Sequence, residues 1–254
     1  MKQEKHLVLS DLHIPDHNLK ALELALKAIA LFKPDVIHLM GDVVNFTDVG
    51  SYDKDPYYEI RLADEVEVCK KILKRITDIA HKADPKVEVS WYEGNHEERL
   101  QRYLRRNASE IASLEILEEK ILSIPHIFEL KDFGISWIPY QRFISHKDVV
   151  FNHGTISRIK GGYSAHAFMD KSGMNSIQGH THRLAMVSRT QLGKTIWGIE
   201  NGCLCNIPPR PNYAPNPDWQ QGFTTIIFEG TKSYPTLHPI VGGSLRLGDR
   251  LLRL

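Results

Sequence analysis

The sequence predicts an α/β fold in which two packed β-sheets carry helices on their outer faces, as one domain over residues 1–254. Three observations lead there. The first hundred residues alternate short apolar runs with helical periodicity in the order β-α-β-α-β, which calls for a parallel sheet covered by helices. The rest of the chain reads mostly as strands, which need a second sheet. No internal repeat or linker-like segment divides the 254 residues, a length that can bury a sizeable core.

The elements follow in order. "HLVLSD" (6–11) is a short apolar run ending in polar residues, as in a buried strand. Asn18 caps a helix with Leu19, Leu22, Leu26 and Ile29 on one face, and Pro34 stops it. "DVIHLMGD" (35–42) is a second strand-to-turn unit. A helix is expected from about 58 to 82, where Leu62, Cys69, Leu73, Ile76 and Ala80 recur at helical spacing. "KVEVSWYEGNH" (86–96) is a third strand ending in a turn. Another helical stretch covers 97 to 120. Strands are expected at 134–139, 149–152, 175–178, 184–190, 194–200 and 223–229, with a short helix near 164–171. "IPPRPNYAPNPDW" (207–219) reads as a long loop.

Composition narrows the class. With 42% hydrophobic and 25% charged residues, the chain is ordinary for a soluble globular protein. Its longest apolar candidate for a membrane span, "ALELALKAIALF", is broken by Glu23 and Lys27. The start runs directly into a strand with no signal-peptide core. Cys69, Cys203 and Cys205 form no CxxC pair and read as buried apolar thiols that suit a reducing cytosol. A cytoplasmic protein without a membrane partner is therefore expected. A net charge of +1 excludes a global basic field, so any nucleic-acid contact must rest on a local patch.

Polar clusters punctuate the strand ends. "DLH" supplies Asp11 and His13, "GD" supplies Asp42, and "GNHE" supplies Asn95, His96 and Glu97. "NHG" then brings His153, and "GHTH" brings His180 and His182, which point to the same side if that segment is extended. In an open α/β sheet, ligand sites form at the carboxyl ends of the strands, so these clusters can share one rim. Two carboxylates, one amide oxygen and four imidazoles, with no thiolate, suit manganese, iron, zinc, cobalt or nickel rather than a structural zinc knot. Seven ligands exceed one tetrahedral site but serve two metals if a carboxylate bridges. Glycines beside the ligands would let the backbone turn sharply. Each motif alone is weak; the ordered set is specific.

The set from Asp11 to His182 resembles the calcineurin-like metallophosphoesterase family. The resemblance implies a four-layer α-β-β-α sandwich with two mixed sheets and a dinuclear site at one edge. It assigns Asp11, His13 and His182 to the first metal, Asp42 to the bridge, and Asn95, His153 and His180 to the second. His96 becomes the catalytic proton donor. Two divalent ions are implied, manganese first. A metal-bridging hydroxide would attack phosphorus in line, with cations roughly 3.5–4 Å apart. Many members carry Asp or His three residues after the bridging Asp, to orient the donor; here that residue is Asn45, with Asp48 as a substitute or, more simply, a cap.

Around the core motifs, Arg99, Arg102 and Arg106 share one helical face, and Arg99 is the candidate substrate contact; the alternative is a solvated face paired with Glu97 or Glu98. "HGTISRIKGGY" (153–163) is a connecting loop or a phosphate grip. His146 and His166 read as surface or core histidines. Tyr213 and Trp219 offer stacking surfaces, with Trp219 read first as an anchor on the core. The functional expectation is a dinuclear-metal phosphodiesterase acting on a phosphoester, nucleic acid or nucleotide among the candidates, and hence a possible nuclease. A phosphomonoesterase acting on a phosphoprotein or nucleotide is the alternative. A non-enzymatic scaffold comes third, because the whole ligand set is present.

Overall fold

Leu7, Val8 and Leu9 are fully buried, and strand alternation sends them to opposite faces. Leu7 and Leu9 join an apolar cluster with helix residues, while Val8 joins a second cluster drawn from two sheets. That split sets the layering. The computed structural model describes residues 3–51, 60–116, 119–209, 214 and 216–254.

The first half comprises β1 (Gln3–Leu9), α1 (Leu19–Phe32), β2 (Val36–Leu39), a short 3-10 turn (Thr47–Val49), α2 (Leu62–Ala83), β3 (Glu88–Tyr92) and α3 (Glu97–Asn107). There follow α4 (Ser109–Ala112), β4 (Glu115–Ile116), β5 (Glu119–Lys120), α5 (Ile124–Ile127) and β6 (Ile135–Ile138). The remainder holds β7 (Ile144–His146), β8 (Val149–Asn152), α6 (Tyr163–Ser172), β9 (Asn175–Gln178), β10 (Leu184–Gln191) and β11 (Lys194–Asn201). It ends with β12 (Gly222–Glu229), β13 (Lys232–Pro239), β14 (Ser244–Leu247) and β15 (Arg250–Arg253).

One sheet has six strands in the order β13-β12-β1-β2-β3-β6, parallel from β1 to β6. The other has five, β10-β11-β9-β8-β7, with a parallel centre and antiparallel edges. Leu22 and Ile29 of α1 and Leu73 and Ile76 of α2 pack on the outer face of the first sheet. Fully burying one such side chain contributes about 1.5–3 kcal/mol. Val8, Phe151, Ile199 and Phe228 fill the space between the sheets. With α6 on the far side of the second sheet, packed on β9 and β11, the result is a mixed α/β sandwich of four layers.

A polar chain crosses the inter-sheet core. The Tyr92 hydroxyl lies 3.0 Å from His38 Nδ1, His38 Nε2 lies 3.0 Å from His6 Nδ1, and His6 Nε2 lies 2.9 Å from Glu4 Oε1. His146 Nε2 sits 3.0 Å from the same oxygen, and Lys147 holds the other Glu4 oxygen at 2.5 Å. Both ring nitrogens of His6 and of His38 are therefore paired within the sandwich.

Several boundaries differ from expectation. Asn18 does cap α1, its Oδ1 accepting from Ala21 N at 3.0 Å, and the helix ends at Lys33 in the left-handed region before Pro34. α2 begins at Leu62, later than the expected start near 58, because Arg61 before it is extended (φ −81°, ψ 156°); residue 58 itself lies outside the described residues. The helical stretch expected over 97–120 breaks at Ala108 (φ −155°, ψ 48°), within the Asn-Ala-Ser sequence at 107–109. Asn and Ser compete with helical backbone bonding and favour such ends. β7, β13, β14 and β15 were not expected. Pro235 lies inside β13, a position tolerated because β13 is an edge strand.

Candidate metal centre

The loops after β1 and β2 run side by side. Asp11 N donates to Gly41 O at 3.1 Å, His13 N to Asp42 O at 2.9 Å, and Ile14 N to Val43 O at 2.8 Å. Asp11, His13, Asp42, His180 and His182 have φ of 53°, 52°, 48°, 70° and 59°. Left-handed backbone costs a residue with a Cβ about 1–2 kcal/mol each, and such strain gathers at functional sites. The turns are thus made by the ligand residues themselves as well as by neighbouring glycines. The extended-chain reading of His180 and His182 fails for the same reason. A tight turn separates them, with Thr181 N on Gly179 O at 2.8 Å, and the two rings face different neighbours.

The residues predicted at the strand ends come together in two adjoining groups. In the first, the donor atoms of Asp11, His13, Asp42 and His182 lie within 4.8 Å of one another. His13 Nε2 is 3.0 Å from His182 Nε2, and His182 Nε2 is 3.2 Å from Asp11 Oδ1. The second joins Asp42, His153 and His180. Asn95 belongs with it, its Oδ1 being 2.8 Å from His180 Nδ1 and 3.1 Å from His153 Nε2. Asp42 stands in both: Oδ1 is 3.3 Å from His153 Nε2, and Oδ2 is 3.8 Å from His13 Nε2.

The electrostatics ask for positive charge. Burial opposes a charge on His153, yet Asp42 beside it prevails and pushes its pKa up to about 10. His182 is raised against burial by Asp11. Burial, aided by His182, holds His13 down to about 4. Burial also opposes ionised Asp42, but the surrounding imidazoles, His153 first, keep it well below the carboxylate range. His153 Nδ1 already serves Met40 O at 2.8 Å, and His13 Nδ1 faces Asn45 Oδ1 at 3.4 Å. Those partners leave each Nε2 to face the centre, the outer support seen for metal-binding histidines. Two carboxylates, an amide oxygen and four imidazoles around buried, crowded lone pairs fit a pair of divalent cations of borderline hardness.

His96 lies beside these groups. Its Nδ1 donates to the backbone carbonyl of Asn45 at 2.8 Å, and its Nε2 is 2.8 Å from Arg99 Nη2. The orienting group is therefore the Asn45 main chain, and the side chain serves His13 instead. Asp48 is a cap, its carboxylate accepting from Leu62 N at 2.9 Å. Burial first, with His13 and Arg99 adding to it, holds the His96 pKa well below its ordinary value. Arg99 also donates to Asn45 O at 2.9 Å. It thus braces His96 while lining a cleft of about 660 Å³ with Asn95, His96, His180, Arg183 and Trp219.

Arg102 and Arg105 pair with Glu98, the Arg102 contact at 2.5 Å. The loop at 153–163 is fastened by Arg183, whose guanidinium donates to Arg158 O at 2.9 Å and Ile159 O at 3.0 Å. Trp219 is half-buried, and its ring meets the buried His182 edge-on at 4.1 Å, at the cleft. Tyr213 lies outside the described residues. His166 is on the surface, 3.3 Å from Asp170.

Two buried carboxylates have structural roles that the sequence did not reveal, Glu97 of the GNHE cluster among them. Glu97, fully buried, accepts from Gly94 N at 2.7 Å, Asp42 N at 3.0 Å and Val43 N at 2.7 Å. Glu200, equally buried, accepts from Ser164 N at 3.0 Å and Thr181 Oγ1 at 2.8 Å, which ties the GHTH turn to the start of α6. A lone acid in the apolar strand "IWGIEN" was the available signal for Glu200, since a fully buried Glu needs partners. Among the described residues, no helix is long and apolar enough to cross a membrane.

Known proteins resemble this chain in sequence or in fold. The chain is 27% identical over 257 aligned residues to the Gene 54 protein of Mycobacterium phage L5, covering 96% of this chain and 97% of that one. It is 26% identical over 248 residues to the Gene 54 protein of Mycobacterium phage D29, covering 93% and 94%. In fold it is similar to Vacuolar Protein Sorting 29 from Cryptosporidium parvum, with a TM-score of 0.52 and 14% identity over 99% of both chains. The model of the calcineurin-like phosphoesterase family matches residues 5–184, from β1 to the start of β10, and the chain belongs to that family.

Proposed function

We propose that this protein is a phosphodiesterase working with two divalent metal ions, manganese foremost. The observation that carries the reading is the placement of Asp42, whose two carboxylate oxygens face two separate donor groups. Asp11, His13 and His182 would hold one ion, Asn95, His153 and His180 the other, and Asp42 both. When bound, the ions would supply charge to the phosphoryl oxygens and an acidified water for attack on phosphorus.

The chain's own residues do the rest. His96 faces the cleft with Nε2, its ring fixed by the Asn45 carbonyl; the negative charge of a bound phosphoester favours uptake of a proton from solvent at that nitrogen, which then passes it to the leaving oxygen. In the resting arrangement Arg99 donates to that same nitrogen. An arriving phosphoryl group competes for the guanidinium, so substrate binding draws Arg99 away and opens Nε2 to the leaving group. Glu97 and Glu200 hold the ligand loops in their strained turns. The breadth of the cleft, about 660 Å³, favours a diester with groups on both sides of phosphorus over a small monoester. The test compares bis(4-nitrophenyl) phosphate with 4-nitrophenyl phosphate on protein stripped of metal and reloaded with Mn²⁺. A higher kcat/KM on the diester supports the reading. A clear preference for the monoester replaces it with a phosphomonoesterase.

A further inference from the structure

A second cavity, of about 420 Å³, adjoins the cleft, and Gly50, Asn95 and Arg99 line both. Beyond them its wall is one face of α3, with Arg102, Tyr103, Arg106 and Asn107, closed by Tyr140 from the segment after β6. Arg99, Arg102, Tyr103 and Arg106 stand at spacings of three, four and seven residues and share that face. From Arg99 to Arg106 the helix rises about 10 Å. A single small phosphoester seated at Asn95 and His96 would end near Arg99. Arg106 has work only on a substrate with further phosphates. It is exposed and makes no ion pair among the described residues, while Arg102 and Arg105 share Glu98.

Aromatic and amide groups stand among the cations. Tyr103 is 42% exposed, and Tyr140 and Asn107 lie on the same wall. A bare polyphosphate needs only charge. Cations interleaved with open aromatic faces match a strand whose bases are unstacked. Because the net charge is only +1, this local patch must carry the attraction.

We propose that this α3 wall is a binding track for single-stranded nucleic acid, leading the strand away from a scissile phosphate held at the metal centre. The proposal deepens the phosphodiesterase reading and rests on it for the position of that phosphate. The track itself is tested by binding, which does not depend on turnover.

The probe is a fluorescein-labelled oligothymidylate of about ten nucleotides, a length typical of single-strand sites. Binding is read by anisotropy with Mn²⁺-loaded His96→Asn protein, and cleavage with the Mn²⁺-loaded wild type. Arg102→Ala/Arg106→Ala should raise both Kd and KM for the oligomer at least about tenfold, and far more than it raises KM for bis(4-nitrophenyl) phosphate. The slope of log affinity against log salt should become shallower by about 1.4, at about 0.7 per phosphate contact on a single strand. Arg106→Lys should recover part of the loss. Arg105→Ala, off the wall, should change Kd less than about twofold. Equal Kd for the double variant and the parent overturns the track while diester hydrolysis stands. Tighter binding of duplex than of single strand overturns it too. Arginine-dependent oligomer binding without hydrolysis of any ester supports the track and removes the phosphodiesterase reading.

Discussion

The Glu97 carboxylate grips the backbone of Asp42: Oε2 accepts from Asp42 N at 3.0 Å, while Oε1 accepts from the next amide, Val43 N, at 2.7 Å. The same Oε2 accepts from Gly94 N at 2.7 Å. One buried side chain thus fastens the turn that aims Asp42 to the turn that carries Asn95. A Cβ at Gly94 would meet Asp42 Oδ1 at 2.2 Å, so nothing larger than glycine fits between them. Glu97→Ala leaves several buried N–H groups unpaired, each worth about 1–3 kcal/mol. The variant should be destabilised by about 3 kcal/mol or more and should bind metal about 10–100-fold more weakly. Denaturant unfolding and Mn²⁺ titration check both. Unchanged metal affinity in a folded Glu97→Ala protein would remove its positioning role.

Arg99 has two tasks, bracing His96 and meeting substrate, so Arg99→Ala should act on both kinetic constants. KM should rise, and kcat should fall by about 10-fold or more, with metal content unchanged. Steady-state kinetics beside metal analysis separates these. A rise in KM alone would mean that the bond to His96 Nε2 has no catalytic value.

His96→Asn should keep both metals and the fold. Turnover should fall by roughly 10²–10⁴ for an ester with a poor leaving group, and less for nitrophenolate, which leaves without a proton. The measurement pairs metal stoichiometry with kcat for two esters of different leaving-group pKa. Loss of a metal would make His96 a ligand. An equal loss on both esters would make it a binding residue.

The inter-sheet chain sets an acid limit on stability. Burial lowers the His6 pKa from 6.5 to about 4. Unfolded chain therefore takes up a proton between those values that the folded chain refuses. The stabilisation is fully present above pH 6.5 and is lost as pH falls toward 4. From pH 7 to pH 5 the His6 share is about 2 kcal/mol. His38 is held well below its ordinary value in the same way, so the contribution of His6 is read by difference. His6→Phe should lose less stability than wild type between pH 7 and pH 5 in urea unfolding. Parallel losses would show that folding does not depress the His6 pKa.

The gathering of these polar residues was legible because short motifs bring them to the ends of β1, β2, β3, β8 and β9, and the topology of a parallel sheet lines those ends up. The backbone that aims them was not. Left-handed turns at Asp11, His13 and Asp42 fall on residue types that favour that region only weakly, too faint a mark to read from the sequence. Asn45 orients His96 through its carbonyl, a group every residue has. Glu97 acts on amides 54 and 55 residues away, beyond any local pattern. In the second half, Pro235 masked β13, and β14 and β15 are largely exposed, without the continuous burial of the equally short β8 and β9.

The most direct measurement is metal stoichiometry against activity. Protein stripped with a chelator is titrated with Mn²⁺ while hydrolysis of bis(4-nitrophenyl) phosphate is followed, for wild type and Asp42→Asn. The expected result is no activity without metal, recovery that saturates as the second equivalent binds, and weakened binding of both ions in Asp42→Asn, since among the described residues Asp42 alone stands in both donor groups. Full activity in metal-free protein, or two tightly held ions in Asp42→Asn, would contradict a dinuclear phosphodiesterase built on Asp42.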